Sequence, residues 1–174
     1  MENNITENHP FLEELQVGLD DGWNLFKTTL RDFTSRKVTF QINHQRQRKY
    51  LFQDRPSGTG HPWQRNVFVS LVMGTPFPQF EIHVSENGKT IWIEDGQQRY
   101  RTFEAILGDM VKLPNDLSQF GEEYVQFENM VLSELPQQII NKIYETQILL
   151  LNGQKLTKDE LHKSLVDEAL FLPL

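Results

Sequence analysis

Alternating apolar and polar residues predict a β-hairpin near the middle of the chain. The segment QFEIHV at residues 79–84 alternates, TIWIED at residues 90–95 alternates again, and ENGK between them has turn chemistry. VTFQI at residues 38–42 alternates as well and predicts a strand, and further strands are predicted at residues 147–151 and, within a stretch rich in helix and strand breakers, at residues 124–127. Strands are therefore expected along much of the chain.

Apolar residues at helical spacing predict a helix on each side of the hairpin. Residues 63–73 and 98–107 carry such stripes, and Gly74 and Gly108 follow them as stops. The second strand of the hairpin therefore turns directly into a helix at residues 95–97. Further helices are predicted at residues 23–32, at residues 136–145 and, from a capping box of Thr157 and Glu160, at residues 157–170.

Length and composition indicate a folded chain. The 174 residues suffice for one domain with a buried core, and 38% hydrophobic with 11% aromatic residues exclude a disordered chain. We expect a flexible tail at residues 1–12 and a single domain at residues 13–174. Because strands and helices interleave with a hairpin among them, the predicted fold class is α+β, with a small mixed sheet flanked by helices.

Charge and composition narrow the functional classes. Cysteine is absent, which excludes disulfides, thiolate metal sites and cysteine nucleophiles. No apolar run approaches the roughly 18 residues of a spanning helix, so we expect a cytoplasmic protein with no membrane partner. The net charge of −7 argues against a protein that coats nucleic acid. A basic stretch from Arg46 to Arg65, with Asp54 as its single acid, keeps contact with DNA open.

The most informative stretch for chemistry is DGQQR, residues 95–99, at the predicted strand-to-helix turn. Unpaired N–H groups and the helix dipole attract phosphate to such a turn. Gly96 allows close approach to the backbone, and Arg99 and Arg101 supply fixed positive charge. Asp95 could cap the helix, orient an arginine or hold a divalent metal. The alternative is a simple tight turn whose arginines lie on a solvated face.

Several stretches follow the order of motifs in a known family. HPWQRNVFVSLVMGTPFPQFEIHV and TIWIEDGQQRYRTFEAILG contain a helix ending in Gly, a Pro-x-Pro turn, an outgoing strand, and a strand ending in Asp-Gly-Gln-Gln-Arg before a helix. QRKYLF at residues 47–52 and LSELPQQIINKIYETQILLL add two further matches. Together, residues 38–151 resemble the N-terminal domain of GmrSD-type modification-dependent restriction enzymes, which has the ParB/sulfiredoxin-like fold.

The resemblance implies that the turn binds and hydrolyses a nucleoside triphosphate. Asp95 would orient Mg²⁺ or a water, Gly96 would allow close approach, and Arg99 would clamp phosphate. Arg48 would reach the same site from its loop. The implied catalytic residues are Asp95, Gln98 and Arg99; the implied phosphate-binding residues are Arg48, Gly96, Gln97, Arg99 and Arg101, with Asp95 as the metal ligand.

The chain departs from the family pattern in two respects. Family members continue into a Phe-x-x-x-Asn-type segment and often add a His-Asn-His nuclease domain, and neither is in this sequence. The five histidines have no metal-ligand spacing, and we expect His83, which alternates with Glu81, on a solvated strand face. The expectation is therefore a domain truncated at its C-terminal end or a small stand-alone relative, with any nuclease supplied by a partner subunit.

Three hypotheses from different classes follow. The first is a Mg²⁺-dependent NTPase or phosphohydrolase. The second is a ParB-like DNA-binding or nuclease module that uses the stretch from Arg46 to Arg65 against the DNA backbone. The third is a non-catalytic regulatory protein that senses a nucleotide and contacts a partner through the aromatic side chains of Trp23, Trp63 and Tyr124. The preferred nucleotide and the oligomeric state stay open.

Overall fold

The structure, a computed structural model, describes residues 13–15, 24–35, 40–42, 59–84 and 91–153. The chain is divided into two compact units. Unit 1 comprises Met1–Lys49, Phe77–Gln97 and Gln147–Leu174, and unit 2 comprises Tyr50–Pro76 and Gln98–Thr146. The single domain expected after residue 12 stays a prediction, as does the flexible tail, which lies outside the described residues.

The described residues form six strands, four α-helices and three 3₁₀ helices. The strands are β1 (Glu13–Leu15), β2 (Asn24–Thr29), β3 (Phe40–Ile42), β4 (Phe80–Val84), β5 (Ile91–Asp95) and β6 (Gln147–Asn152). The α-helices are α1 (Leu30–Thr34), α2 (Pro62–Met73), α3 (Gln97–Leu107) and α4 (Gln137–Tyr144). The 3₁₀ helices are η1 (Leu117–Phe120), η2 (Glu122–Phe127) and η3 (Leu132–Glu134).

The strands of unit 1 form one mixed sheet with the order β1-β2-β6-β4-β5-β3. Antiparallel pairing joins β1 to β2, β2 to β6 and β4 to β5, whereas β4 pairs with β6, and β3 with β5, in parallel. The predicted α+β class with a mixed sheet and helices is therefore confirmed. The antiparallel pairing of β4 with β5 also confirms the hairpin strands, whose ENGK connection lies outside the described residues.

The core of unit 1 lies on one face of this sheet. Alternate residues of β2 and β6 are buried, and Phe26 pairs with Leu150 across the two strands. Helix α1 contacts both strands, and its fully buried Phe33 meets Phe80 edge to face, with ring centroids 4.8 Å apart. An edge-to-face pair of this kind adds to the stabilisation that apolar burial provides.

The helix predicted at residues 23–32 is wrong. Residues 24–29 form β2 instead, with Phe26 and Thr28 buried and the intervening side chains more exposed. The strand ends where Thr29 caps α1, because its Oγ1 accepts a hydrogen bond from the backbone N–H of Asp32 at 3.2 Å. Strand β1, which pairs with β2, was not predicted at all.

Helix α2 of unit 2 is defined at both ends by its caps. The Nδ1 of His61 accepts a hydrogen bond from the N–H of Trp63 at 3.1 Å, and Gln64 Oε1 accepts one from the N–H of His61 at 2.9 Å. At the other end Gly74 has φ 71°, and the N–H groups of Gly74 and Thr75 bond back to the last turn. The predicted left-handed cap at Gly74 is therefore confirmed.

The predicted end of α3 at Leu107, with Gly108 directly after it, is confirmed. The helix ends at Leu107, but the left-handed residue is Asp109, with φ 58°, rather than Gly108. The N–H groups of Asp109 and Met110 donate to the carbonyls of Ile106 and Ala105, which is the Schellman pattern. Asp109 Oδ1 also accepts a hydrogen bond from the N–H of Ser133 at 3.0 Å.

The rest of unit 2 is built from 3₁₀ turns and one further helix. The short strand predicted at residues 124–127 is wrong, because these residues belong to η2, whose N–H groups bond three residues back. The predicted helix at residues 136–145 is confirmed as α4, which contacts α2. Within the described ranges, every helix is too short or too polar to span a bilayer.

Candidate functional site

The pairing of β4 with β5 positions the acidic end of the candidate turn. Ile82 pairs with Ile93, but the next pair is Glu81 with Asp95, so β5 contains one extra residue there. Such a bulge bends a strand and re-aims its side chains. Asp95 is exposed, whereas Glu94 is half-buried. The register, which the sequence left open, therefore makes Asp95 the carboxylate that faces solvent.

A glycine joins the strand to the helix. Gly96 has φ 103°, in the left-handed region that residues with a side chain rarely adopt, and α3 begins at the next residue. The first N–H groups of a helix have no partners within the helix, and the helix dipole adds partial positive charge there. The turn thus sets an exposed carboxylate directly before a positive helix end.

Arg99 lies in the first turn of α3, on the face that the helix buries. Phe103 and Ile106 follow it by four and seven residues, and neither has any exposed surface. Arg99 itself is half-buried. Arg99 therefore follows the buried stripe of α3 while part of its own surface stays exposed.

Arg101, which is also on α3, interacts with Tyr100 and Glu104. The pKa of Tyr100 is raised to about 12, mainly by burial and also by the nearby Glu104 carboxylate, while Arg101 acts in the opposite direction. The pKa of the Glu104 carboxyl is also raised by desolvation and lowered by Arg101. Tyr100 is therefore a neutral phenol at physiological pH, unable to act as a base. Arg101 thus interacts with the Glu104 carboxylate on its own helix.

The two glutamines of the turn differ in burial. Gln97 is only 4% exposed, and Gln98 is half-buried. The amide oxygen of Gln97 is buried, and no hydrogen-bond donor meets it within the part of the chain that the structure describes. Buried polar atoms in folded proteins are nearly always paired, so this oxygen needs an explanation.

Glu81 is a residue of the site that the sequence did not single out. Its pairing with Asp95 puts two exposed carboxylates directly opposite each other, with Cβ atoms expected about 4.5–5.5 Å apart. No group of three or more His, Cys, Asp or Glu residues suited to a metal occurs in the described ranges. Two carboxylates nevertheless fit Mg²⁺ that completes its shell with phosphate oxygens and water. Only the register of the hairpin could have revealed the pair.

Arg48, Arg65 and His83 were also considered from the sequence, and the structure gives each a different outcome. Arg48 lies outside the described residues. The guanidinium of Arg65 donates hydrogen bonds to the carbonyls of Lys112 and Leu113 at 3.0 and 2.9 Å, which gives it a structural role within unit 2. His83 is 5% exposed, so the expected solvated strand face is wrong for it.

No protein-family model, no curated protein and no solved structure matches the chain. The resemblance to the GmrSD-type domain therefore stays a prediction.

Proposed function

We propose that this chain binds a nucleoside triphosphate through its phosphates at the turn between β5 and α3, and hydrolyses it with Mg²⁺. The observation that carries the proposal is the sequence of groups along that turn. An exposed carboxylate, Asp95, is followed by Gly96 in a left-handed conformation, a helix N-terminus and the half-buried Arg99. These groups are suited to binding a nucleoside triphosphate that carries a bound Mg²⁺.

The phosphate contacts follow from the chemistry of the turn. The first N–H groups of α3 offer donors to phosphate oxygens, and Gly96 has no side chain to keep the ligand away. Arg99 supplies a permanent charge and a planar set of donors that match phosphate geometry. Arg99 is half-buried in the first turn of α3, so part of the residue stays exposed to solvent.

The carboxylates are suited to the cation of the substrate complex. Asp95 and the opposing Glu81 would hold Mg²⁺, which when bound neutralises phosphate charge. Without a cation the two carboxylates repel each other across the strand pair. A ligand that carries Mg²⁺ therefore suits the turn better than a bare anion does.

Hydrolysis would depend on positioning and charge neutralisation. Gln98 is half-buried in the first turn of α3 and can orient a water molecule through its amide. Asp95 can orient the same water or the cation, and Arg99 can stabilise charge that develops on the transferred phosphoryl group. No strong base is required, because phosphoryl transfer is accelerated mainly by orientation and electrostatics.

Phosphate release tests the catalytic part of the proposal. Each of ATP, GTP, CTP and UTP is incubated with the protein and Mg²⁺, and free phosphate is measured. Arg99→Ala should lower the rate at least tenfold, because a charge-assisted hydrogen bond is worth roughly 1.5–3 kcal/mol. The matched control is Arg31→Ala, which removes an exposed arginine of α1 and should leave the rate unchanged. Equal rates in wild type and Arg99→Ala would contradict hydrolysis at this turn.

A further inference from the structure

The amide oxygen of Gln97 is a buried acceptor without a donor. The residue is 4% exposed, and no hydrogen-bond partner meets Oε1 within the described residues. Bulk water does not reach the atom, of which less than 1 Å² is exposed. An unpaired buried acceptor destabilises a fold, so a residue with an apolar side chain of the same length would be the more stable choice here.

The position of Gln97 connects this acceptor to the turn. Gln97 is the first residue of α3, it follows Gly96, and it lies two residues after Asp95. The Gln97 side chain has three rotatable bonds, so a change of its rotamer can bring the amide to a ligand bound at the turn. An amide oxygen can only accept, and the missing partner is therefore an N–H or O–H donor.

We propose that Gln97 Oε1 accepts a hydrogen bond from the nucleoside part of the ligand; this rests on the proposed function. The fully ionised triphosphate of a Mg²⁺ complex has oxygen acceptors and no donor. Water molecules bound to Mg²⁺ are common to the complexes of nucleoside and inorganic triphosphate, so the ribose hydroxyls and the N–H groups of the base are the donors that distinguish a nucleoside triphosphate. Gln97 thus makes the site select nucleoside triphosphates over inorganic triphosphate. Both ligands can bind Arg99 and the N-terminus of α3 equally well, but only a nucleoside triphosphate offers Gln97 a ribose hydroxyl or a base N–H.

The test separates this role from a structural one. Gln97→Met keeps the length of the side chain and removes its polar atoms. Binding of each nucleoside triphosphate and of inorganic triphosphate, both with Mg²⁺, is measured together with the unfolding midpoint of the unliganded protein. We expect nucleoside triphosphate affinity to fall about threefold to tenfold, triphosphate affinity to stay unchanged, and the unliganded midpoint to stay the same or rise.

A second variant tests whether the loss of a buried, unpaired oxygen far from the turn also lowers ligand affinity. Thr28 in β2 also has a buried hydroxyl oxygen without a partner in the described residues, and β6 and β4 separate β2 from β5 in the sheet. Thr28→Val should therefore leave both affinities unchanged.

Each outcome distinguishes the two proposals. An equal loss of both affinities in Gln97→Met, no loss of either, or a lower unliganded midpoint would overturn the role of Gln97 alone. If the wild type binds neither ligand, the proposed function fails and this inference fails with it.

Discussion

At the scale of single residues, a β-bulge in β5 decides that Asp95 is the carboxylate opposite Glu81. One extra residue in β5 places Asp95 opposite Glu81, where regular pairing would have placed Glu94. Both are exposed, and like charges directly opposite on neighbouring strands destabilise the pair. A pair of this kind is favourable only when a cation neutralises it.

Removing one of these charges should therefore have opposite effects with and without the ligand. Glu81→Gln relieves the repulsion, so in EDTA the free energy of unfolding should rise by about 0.2–1 kcal/mol. The same variant should weaken binding of Mg²⁺ with a nucleoside triphosphate, because the cation loses a carboxylate. Urea unfolding in EDTA and a thermal shift with the ligand measure the two effects.

The exposed Asp116, which makes no side-chain cap hydrogen bond, provides the control for this charge change. Asp116→Asn should leave ligand binding unchanged. A Glu81→Gln protein that is less stable in EDTA, or that binds the ligand as tightly as wild type does, would contradict the cation site.

Single residues also show which features of the candidate site could be predicted from the sequence and which could not. The string from Asp95 to Arg99 and the glycine between strand and helix could be predicted, because turn chemistry is local. The pairing of Glu81 with Asp95 could not, since it depends on a register that a single extra residue changes. The burial of His83 likewise depends on what packs over its strand, which alternation alone does not reveal.

At the scale of elements, the end of α3 rests on one strained residue. Asp109 has φ 58° and its carboxylate accepts a hydrogen bond from the N–H of Ser133. Asn also tolerates this conformation and keeps an acceptor oxygen, whereas Ala does neither. Asp109→Ala should lower the free energy of unfolding by about 1–2 kcal/mol, and Asp109→Asn by less than about 0.5 kcal/mol. Urea unfolding of the two variants measures both, and equal losses would refute this cap.

The elements that sequence analysis missed are those decided by distant partners. The stretch that contains β2 has apolar residues at mixed spacing. Its pairing with β6, in which paired residues lie 118 to 128 positions apart in the chain, makes it a strand. Residues 124–127, which were predicted to form a short strand, satisfy their backbone groups locally in η2. By contrast, α2, α3 and α4 have strong local signals, including Pro62 and Gly74, and were predicted well.

At the scale of the whole molecule, the balance of charge bears on the choice of ligand. The net charge of −7 opposes binding to a long polyanion, and Arg65 is engaged with backbone carbonyls in unit 2. A small anion whose charge is partly neutralised by Mg²⁺ meets less opposition, since it needs one positive turn rather than a basic surface. We therefore favour a nucleotide over DNA as the ligand.

The most direct test is calorimetric titration of each of the four nucleoside triphosphates, with Mg²⁺, into wild type, Arg99→Ala and Arg31→Ala. We predict saturable binding of at least one nucleotide to wild type, an affinity at least tenfold lower for Arg99→Ala, and wild-type affinity for Arg31→Ala. Absence of saturable binding to wild type, or equal affinities in wild type and Arg99→Ala, would contradict a nucleotide-phosphate site at the turn between β5 and α3.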